Sequence, residues 1–420
     1  MHSSGTNSRT KGRLNISAVG PRFGSTKLAT LIIRSALTLA VLSALLLIAA
    51  PAQAQTETVL YSFGSQTGDG YGPVAGLIFD KAGNLYGTAR AGGAYSNGTV
   101  FELTAAGSEK VLYSFGSQPG DGAVPYGGLI FDKKGNLYGT TQDGGAYGGG
   151  TVFELTAAGT EKVLYSFSSQ PGDGINPLAG LIFDKKRNLY GTTLNGGAYD
   201  RGTVFELTAK GAEKILYSFG SQPGDGSGPY AAGVIFDTMG NLYGTTCYGG
   251  AYGEGTVFEL TAAGTEKVLY SFGSQPGDGQ MPEAGLTFDK KGNLYGTTSG
   301  GGAYGIDEGT VFELTAAGTE TVLYSFGGQP DDGSYLWAGL TFDKKGNLYG
   351  VTVDGGAHGG GTVFEVTAAG KEKNLYSFGS EAGDGNNPYG GLIFDKKGNL
   401  YGTTLWGGAY AGGTVFKLVP

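Results

Sequence analysis

Seven near-identical copies of one segment of about fifty residues run from Thr58 to Pro420, and the tetrapeptide Leu-Tyr-Ser-Phe marks them at Leu60, Leu112, Leu164, Leu216, Leu269, Leu323 and Leu375. A period of this length fixes the architecture before any residue is read singly. Each copy must be the same supersecondary unit and must bury its apolar face against a neighbour. The markers are 52, 52, 52, 53, 54 and 52 residues apart, so at most two extra residues are tolerated, and only in loops. Function is therefore sought in what differs between copies.

The second copy shows the unit. Gly128 to Asp132, Asn136 to Thr141, Gly150 to Thr156 and Glu161 to Phe167 are short runs rich in Val, Ile, Leu, Phe, Tyr and Thr, separated by Gly, Asp, Asn and Ala-Ala-Gly. This pattern predicts four strands and no helix. Asp-Lys-Lys-Gly-Asn reads as a tight hairpin with its glycine left-handed, although Arg187 takes that place in the third copy. The longest irregular stretch, such as Ser117 to Tyr126, links the fourth strand to the next unit. It opens on Gly116 or Gly220 but on Ser168 in the third copy, so glycine is not expected to be essential there.

Repeated four-stranded units form either a solenoid or a closed ring of blades. Glu57 to Phe63 is a fourth strand without its preceding three, and the chain finishes with three strands, Leu392–Asp395, Asn399–Thr404 and Gly413–Leu418, without a fourth. The first strand completes the last blade. The expected fold is all-β, a seven-bladed β-propeller of four-stranded antiparallel blades closed three-plus-one, over residues 55–420. No polar capping repeat, which a solenoid needs, is present.

Residues 1–54 are of another kind. Six basic residues and no acidic one precede the apolar run Ser35 to Ala50, and Ala52-Gln53-Ala54 offers small residues to a signal peptidase. This segment reads as a signal peptide cleaved after Ala54, with translation expected to start downstream of Met1. A run of 16 residues is short for a span, which needs about 20. Without those six basic residues, 22 basic side chains face 36 acidic ones, a net charge of −14. That excludes the basic footprint a nucleic-acid or anionic-membrane partner requires. With Cys247 as the sole cysteine, no intramolecular disulfide forms. The mature chain is expected to be a secreted or periplasmic monomer.

Gly-Asn-Leu-Tyr-Gly-Thr-Thr, followed by Gly-Gly and Gly-Thr-Val-Phe-Glu-Leu-Thr in all copies with minor departures, resembles the GloVer tandem-repeat family of exported bacterial proteins. The resemblance covers the whole mature chain and implies export and a repeat domain. In many members it also implies a variable C-terminal surface anchor, which this chain, ending at Pro420, is expected to lack. It brings no activity and no catalytic residue. The Gly-Gly pair also looks like the kelch signature, with Tyr or Phe in place of its last-strand tryptophan.

The copies differ chiefly in loops that a propeller places on one face. Between the second strand and Gly-Gly stand Arg90-Ala91, Gln142-Asp143, Leu194-Asn195, Cys247-Tyr248, Ser299-Gly300, Val353-Asp354 and Leu405-Trp406. Just before the first strand stand Val74, Tyr126, Leu178, Tyr230, Glu283, Trp337 and Tyr389. Neutral drift of loop residues is the plainer reading. The sharper one is an aromatic ligand platform of Trp337, Trp406, Tyr126, Tyr230, Tyr248 and Tyr389, since flat rings with polar tips suit a wet rim.

Other constellations read as structural. The aspartates Asp69, Asp121, Asp173, Asp225, Asp278, Asp332 and Asp384 are expected to bond their own turns, because a calcium loop clusters several carboxylates. Asp80 through Asp395 in the first hairpins read the same way. His358, the only histidine after the signal, replaces the tyrosine of Gly-Gly-Ala-Tyr and is expected to fill its space. Cys247 reads as a small loop residue. Glu102, Glu154, Glu206, Glu259, Glu313 and Glu365 are expected to pair across strands with lysines such as Lys162, and Lys417 with Glu57 on the closing strand. No metal or cofactor motif is present. The expectation is an exported, non-enzymatic binding module for a glycan or protein. The alternative is an enzyme acting on an extracellular polymer through Asp143, Asp354 and Glu283, whose carboxyl spacing sequence leaves open.

Overall fold

The computed structural model describes residues 56–231 and 233–420. The signal segment and its cleavage site lie outside the described residues. In the second copy the strands are Ile130–Phe131, Leu137–Thr141, Thr151–Leu155 and Glu161–Ser166, paired antiparallel in chain order. All seven copies form such a four-stranded sheet, giving a seven-bladed propeller with the first strand innermost. We number the blades 1 to 7 from Ile78.

Closure is three-plus-one. Thr56–Ser62 pairs antiparallel with Thr414–Val419, from Thr56 opposite Val419 to Ser62 opposite Thr414, with a bulge between Val59 and Tyr61. The other fourth strands carry the same irregularity, between Val152 and Phe153 in blade 2. The residue it leaves over is the leucine of the marker tetrapeptide.

The first strand is two residues long rather than five. Glycine backbones of adjacent blades crowd together around the axis: a Cβ on Gly180 would lie 3.2 Å from the Gly128 carbonyl oxygen, and one on Gly76 would lie 3.1 Å from that of Gly391. The chain there lines the channel and has no inner strand to pair with.

The core lies between blades. Val100 and Phe115 of blade 1 pack with Leu129, Leu137, Phe153 and Leu155 of blade 2, and Phe63 and Val415 close the ring against Leu77, Leu85, Phe101 and Leu103. Phe115 meets Phe153 edge to face, with centroids 5.1 Å apart, a favoured aromatic geometry. Both sheet faces are thus covered, which explains the near-continuous apolar strands.

The first hairpins form as expected. Asp132 Oδ1 accepts the Lys134 and Asn136 amides at 2.7 and 3.0 Å, and Gly135 has φ of 85°. Arg187 adopts φ of 70° in glycine's place and reaches across to Asp132 Oδ2 at 2.7 Å, tying blade 3 to blade 2. The loop aspartates also bond their own turns. Asp121 Oδ2 accepts from Tyr113 Oη and the Gly116 and Ser117 amides at 2.8 to 2.9 Å, and Oδ1 accepts the Gly122 amide.

The opening position of the long connection is left-handed, with φ of 89° at Gly116 and 69° at Ser168; glycine suits it, and Ser168 shows that glycine is not essential. The expected cross-strand ion pairs are corrected. Glu154 faces Lys162 in register, but its Oε1 accepts instead from Tyr138 Oη at 2.7 Å and Asn136 Nδ2 at 2.9 Å. A neutral hydroxyl and amide fixed by the sheet hold it better than a flexible exposed ammonium. Lys417 stands opposite Thr58, not Glu57, with its ammonium 6.0 Å from the Tyr401 ring centroid.

Candidate binding face at the channel mouth

Each blade carries a second, smaller sheet absent from the sequence reading. Gly122–Ala123, within the long connection, pairs with Asp143–Gly144 of the loop after the second strand, and the same two-residue ribbon recurs in all seven copies. Beyond it the Gln142 amide donates to the Val124 carbonyl at 2.9 Å. The two sets of variable loops are therefore zipped together into one surface.

The residue after each ribbon is left-handed: Gly72, Val124, Asn176, Gly228, Met281, Tyr335 and Asn387 have φ between 53° and 67°. For a β-branched residue such as Val124 this conformation is a real outlier. It persists because hydrogen bonds pin it on both sides, from its own amide to Asn97 O at 2.8 Å and from Gln142 N to its carbonyl. Proline follows in six copies and Leu336 in the other. This sharp turn delivers the next residue to the axis.

Those next residues are Val74, Tyr126, Leu178, Tyr230, Glu283, Trp337 and Tyr389. Tyr126, Trp337 and Tyr389 line an axial cavity of about 120 Å³ floored by glycine backbone. Tyr230 of blade 4 meets Trp337 of blade 6 edge to face at 5.6 Å, and Trp337 meets Tyr389 of blade 7 at 4.9 Å. Contact between blades 4 and 6 means that both rings reach over the mouth of blade 5. There Glu283 is only 7% exposed. Tyr126, Tyr230, Trp337 and Tyr389 are each half-buried, with ring surface left to solvent. Burial chiefly, then the neighbouring Tyr230 and Tyr389, raise the Tyr126 hydroxyl above its usual range, while Arg90 works against the shift.

The remaining two predicted residues lie on the same face outside this cluster. Trp406, 38% exposed, meets Tyr71 edge to face at 5.6 Å, and the Arg90 guanidinium sits 5.7 Å from its ring centroid. Tyr248 is exposed beside Tyr230 and Cys247. Cys247 sits in the bend after the second strand, as expected, but faces inward. It is fully buried, and its thiol donates to Glu283 Oε1 at 3.5 Å. Burial pushes the Glu283 carboxyl up to about 7 against the hydrogen bonds from Cys247 and Ser299, and its Oε2 has no partner. Asp354 is raised by burial despite its bond from Asn387 Nδ2 at 2.8 Å.

Tyr71 was missed by sequence reasoning, though a signal existed. The second ribbon residues, Tyr71, Ala123, Ile175, Ser227, Gln280, Ser334 and Asn386, also vary between copies, and each stands opposite a variable loop residue, as Asn386 does Trp406. Among the described residues no group of three or more His, Cys, Asp and Glu is placed to hold a metal, and no helix is long and apolar enough to cross a membrane.

The repeat described as Gloeobacter/Verrucomicrobia repeat matches this chain at residues 48–238, 162–341 and 230–420. No curated protein matches it. Among solved structures, the extracellular domain assigned to a one-component system of B. thetaiotaomicron is similar with a TM-score of 0.55 and 10% identity, over 86% of this chain and 40% of that one. Puromycin hydrolase is similar at 0.51 and 14% identity, over 79% of this chain and 50% of that one. This chain thus spans half or less of these neighbours, and identities so low show the propeller fold alone.

Proposed function

The chain belongs to the Gloeobacter/Verrucomicrobia repeat family, and on that premise we propose that it is an exported, non-enzymatic binding protein whose ligand docks at the channel mouth. The observation that carries this reading is the convergence of Tyr126, Tyr230, Trp337 and Tyr389, from four blades, on one half-buried aromatic cluster whose rings meet edge to face. Rings buried on one side and wet on the other supply contact area with little loss of side-chain entropy. A sugar ring or the side chain of a peptide fits against such a cluster, with Trp406 and Arg90 as a neighbouring contact. The signal segment supports export. An extracellular domain among the fold neighbours agrees with export but does not carry the reading.

Trp337 and Trp406 are the only tryptophans, so Trp406→Phe leaves Trp337 as sole reporter. A glycan or peptide bound at the mouth is expected to shift its emission saturably. A ligand that binds without changing that emission would sink this reading. Glu283 favours a second reading: a buried carboxyl pushed up to about 7 is suited to act as a general acid toward a bound polymer. Cleavage of a bound oligosaccharide that Glu283→Gln abolishes would establish it.

A further inference from the structure

Outside the channel mouth the same face carries a second aromatic array. Tyr95, Tyr147, Tyr199, Tyr252, Tyr304 and Tyr410, the last residues of the Gly-Gly-Ala-Tyr loops, are 53–62% exposed, and His358 in the seventh loop is exposed too. Rings so exposed contribute little to the core. Packing therefore does not explain why every copy keeps one. The positions immediately after the ring do change, through Ser96-Asn97, Gly148-Gly149, Asp200-Arg201, Gly253-Glu254 and Ala411-Gly412.

The rings are presented on fixed loops. In each copy the alanine amide before the ring donates to the serine hydroxyl of a Leu-Tyr-Ser-Phe tetrapeptide, at 3.2 Å from Ala146 to Ser166 and 3.2 Å from Ala409 to Ser62. Several of the rings also stand beside the left-handed residue that opens the next connection. A Cβ added to Gly116 would lie 3.2 Å from Tyr95 Cβ, and one added to Gly64 or Gly273 would lie 3.4 Å from that of Tyr410 or Tyr252. At the seam between blades 3 and 4 the Tyr199 ring bounds a groove of about 550 Å³ with Arg201, Ser221, Gln222 and Pro223, within the size range of small-ligand sites.

We propose that these seven seams are equivalent subsites for neutral pyranose residues of a polysaccharide. The tyrosine face stacks on the C–H face of the sugar, and the polar side chains around it take the hydroxyls. The sites repeat while the channel mouth does not, so the ligand must offer the same small unit several times, as a polysaccharide does and a protein surface does not. The net charge of −14 after signal removal disfavours anionic sugars. Each subsite alone is weak, and affinity comes from simultaneous engagement.

The test measures binding of the mature protein to soluble neutral β-glucan, mannan and galactan, with an anionic polyuronate as control. One variant carries serine at all six tyrosines and at His358, a second only at Tyr95, Tyr199 and Tyr304, and a third only at Tyr199. At least one neutral polymer is expected to bind, with loss of about tenfold or more in the first variant, an intermediate loss in the second and at most about twofold in the third. Thermal midpoints should be unchanged, because the rings are exposed. Lack of binding to every neutral polymer, binding only to the polyuronate, or retention of parental affinity by the first or second variant would each overturn the proposal. The Trp337 emission response should survive in all three variants, which keeps this array separate from the channel mouth.

Discussion

A single methyl group at position 139 would decide how well blade 2 packs. A Cβ there would lie 2.8 Å from Phe153 Cζ and 3.0 Å from Leu129 Cδ2, and both side chains are buried, so neither can give way. Gly139→Ala is expected to cost about 1–3 kcal/mol, the usual penalty of overpacking, read as a lower urea midpoint; an unchanged midpoint would show that the seam yields. Of the mouth residues, Trp337 was marked in the sequence because its position changes from copy to copy within an otherwise repeated unit. Tyr71 was marked only by variation between copies, in a glycine-flanked stretch too short to show a strand pattern. Nor could sequence tell that Cys247 turns inward onto Glu283, since that contact joins adjacent blades 36 residues apart.

At the scale of the element, the marker tetrapeptide divides its work among four side chains. Leu164 is taken up by the bulge, Tyr165 donates to the loop aspartate Asp173 at 2.9 Å, Ser166 pins the tyrosine loop, and Phe167 fills the next seam against Phe205. The hairpins and four-stranded sheets were legible because their runs are long enough to show apolar content and turn chemistry. The ribbons were not: two residues, one of them glycine, carry no periodicity.

The fourth strands also carry Glu57, Glu109, Glu161, Glu213, Glu266, Glu320 and Glu372, each pushed up to about 7 by burial and then by a loop aspartate across the seam. A carboxyl raised in the folded state makes that state bind more protons than the unfolded chain. Its stabilising effect is full below the unfolded value of 4.5 and is lost as pH rises through 7. The thermal midpoint should thus be higher at pH 5 than at pH 8. Glu161→Gln should raise it at pH 8 and leave it nearly unchanged at pH 5. A midpoint that climbs from pH 5 to pH 8 would refute this account of the seams.

For the whole molecule, the ring depends on one strand from each end of the propeller. Removing residues 56–63 would strip Phe63 from the closing seam and bare the edge of Thr414–Val419, an invitation to association. Such a chain is expected to melt earlier and to self-associate in light scattering; a monomer as stable as the parent would show that the ring holds without its clasp. Closure also assembles the channel mouth, because only a closed ring brings the variable loops of blades 2, 4, 6 and 7 to a common axis. The most direct measurement compares the mature protein and Trp337→Ala on a glycan and peptide array, followed by titration of the strongest ligand that shifts Trp337 emission. Affinity should fall by about tenfold or more in the variant, as expected of a central aromatic anchor. Equal binding by the two proteins would contradict the channel mouth as the site.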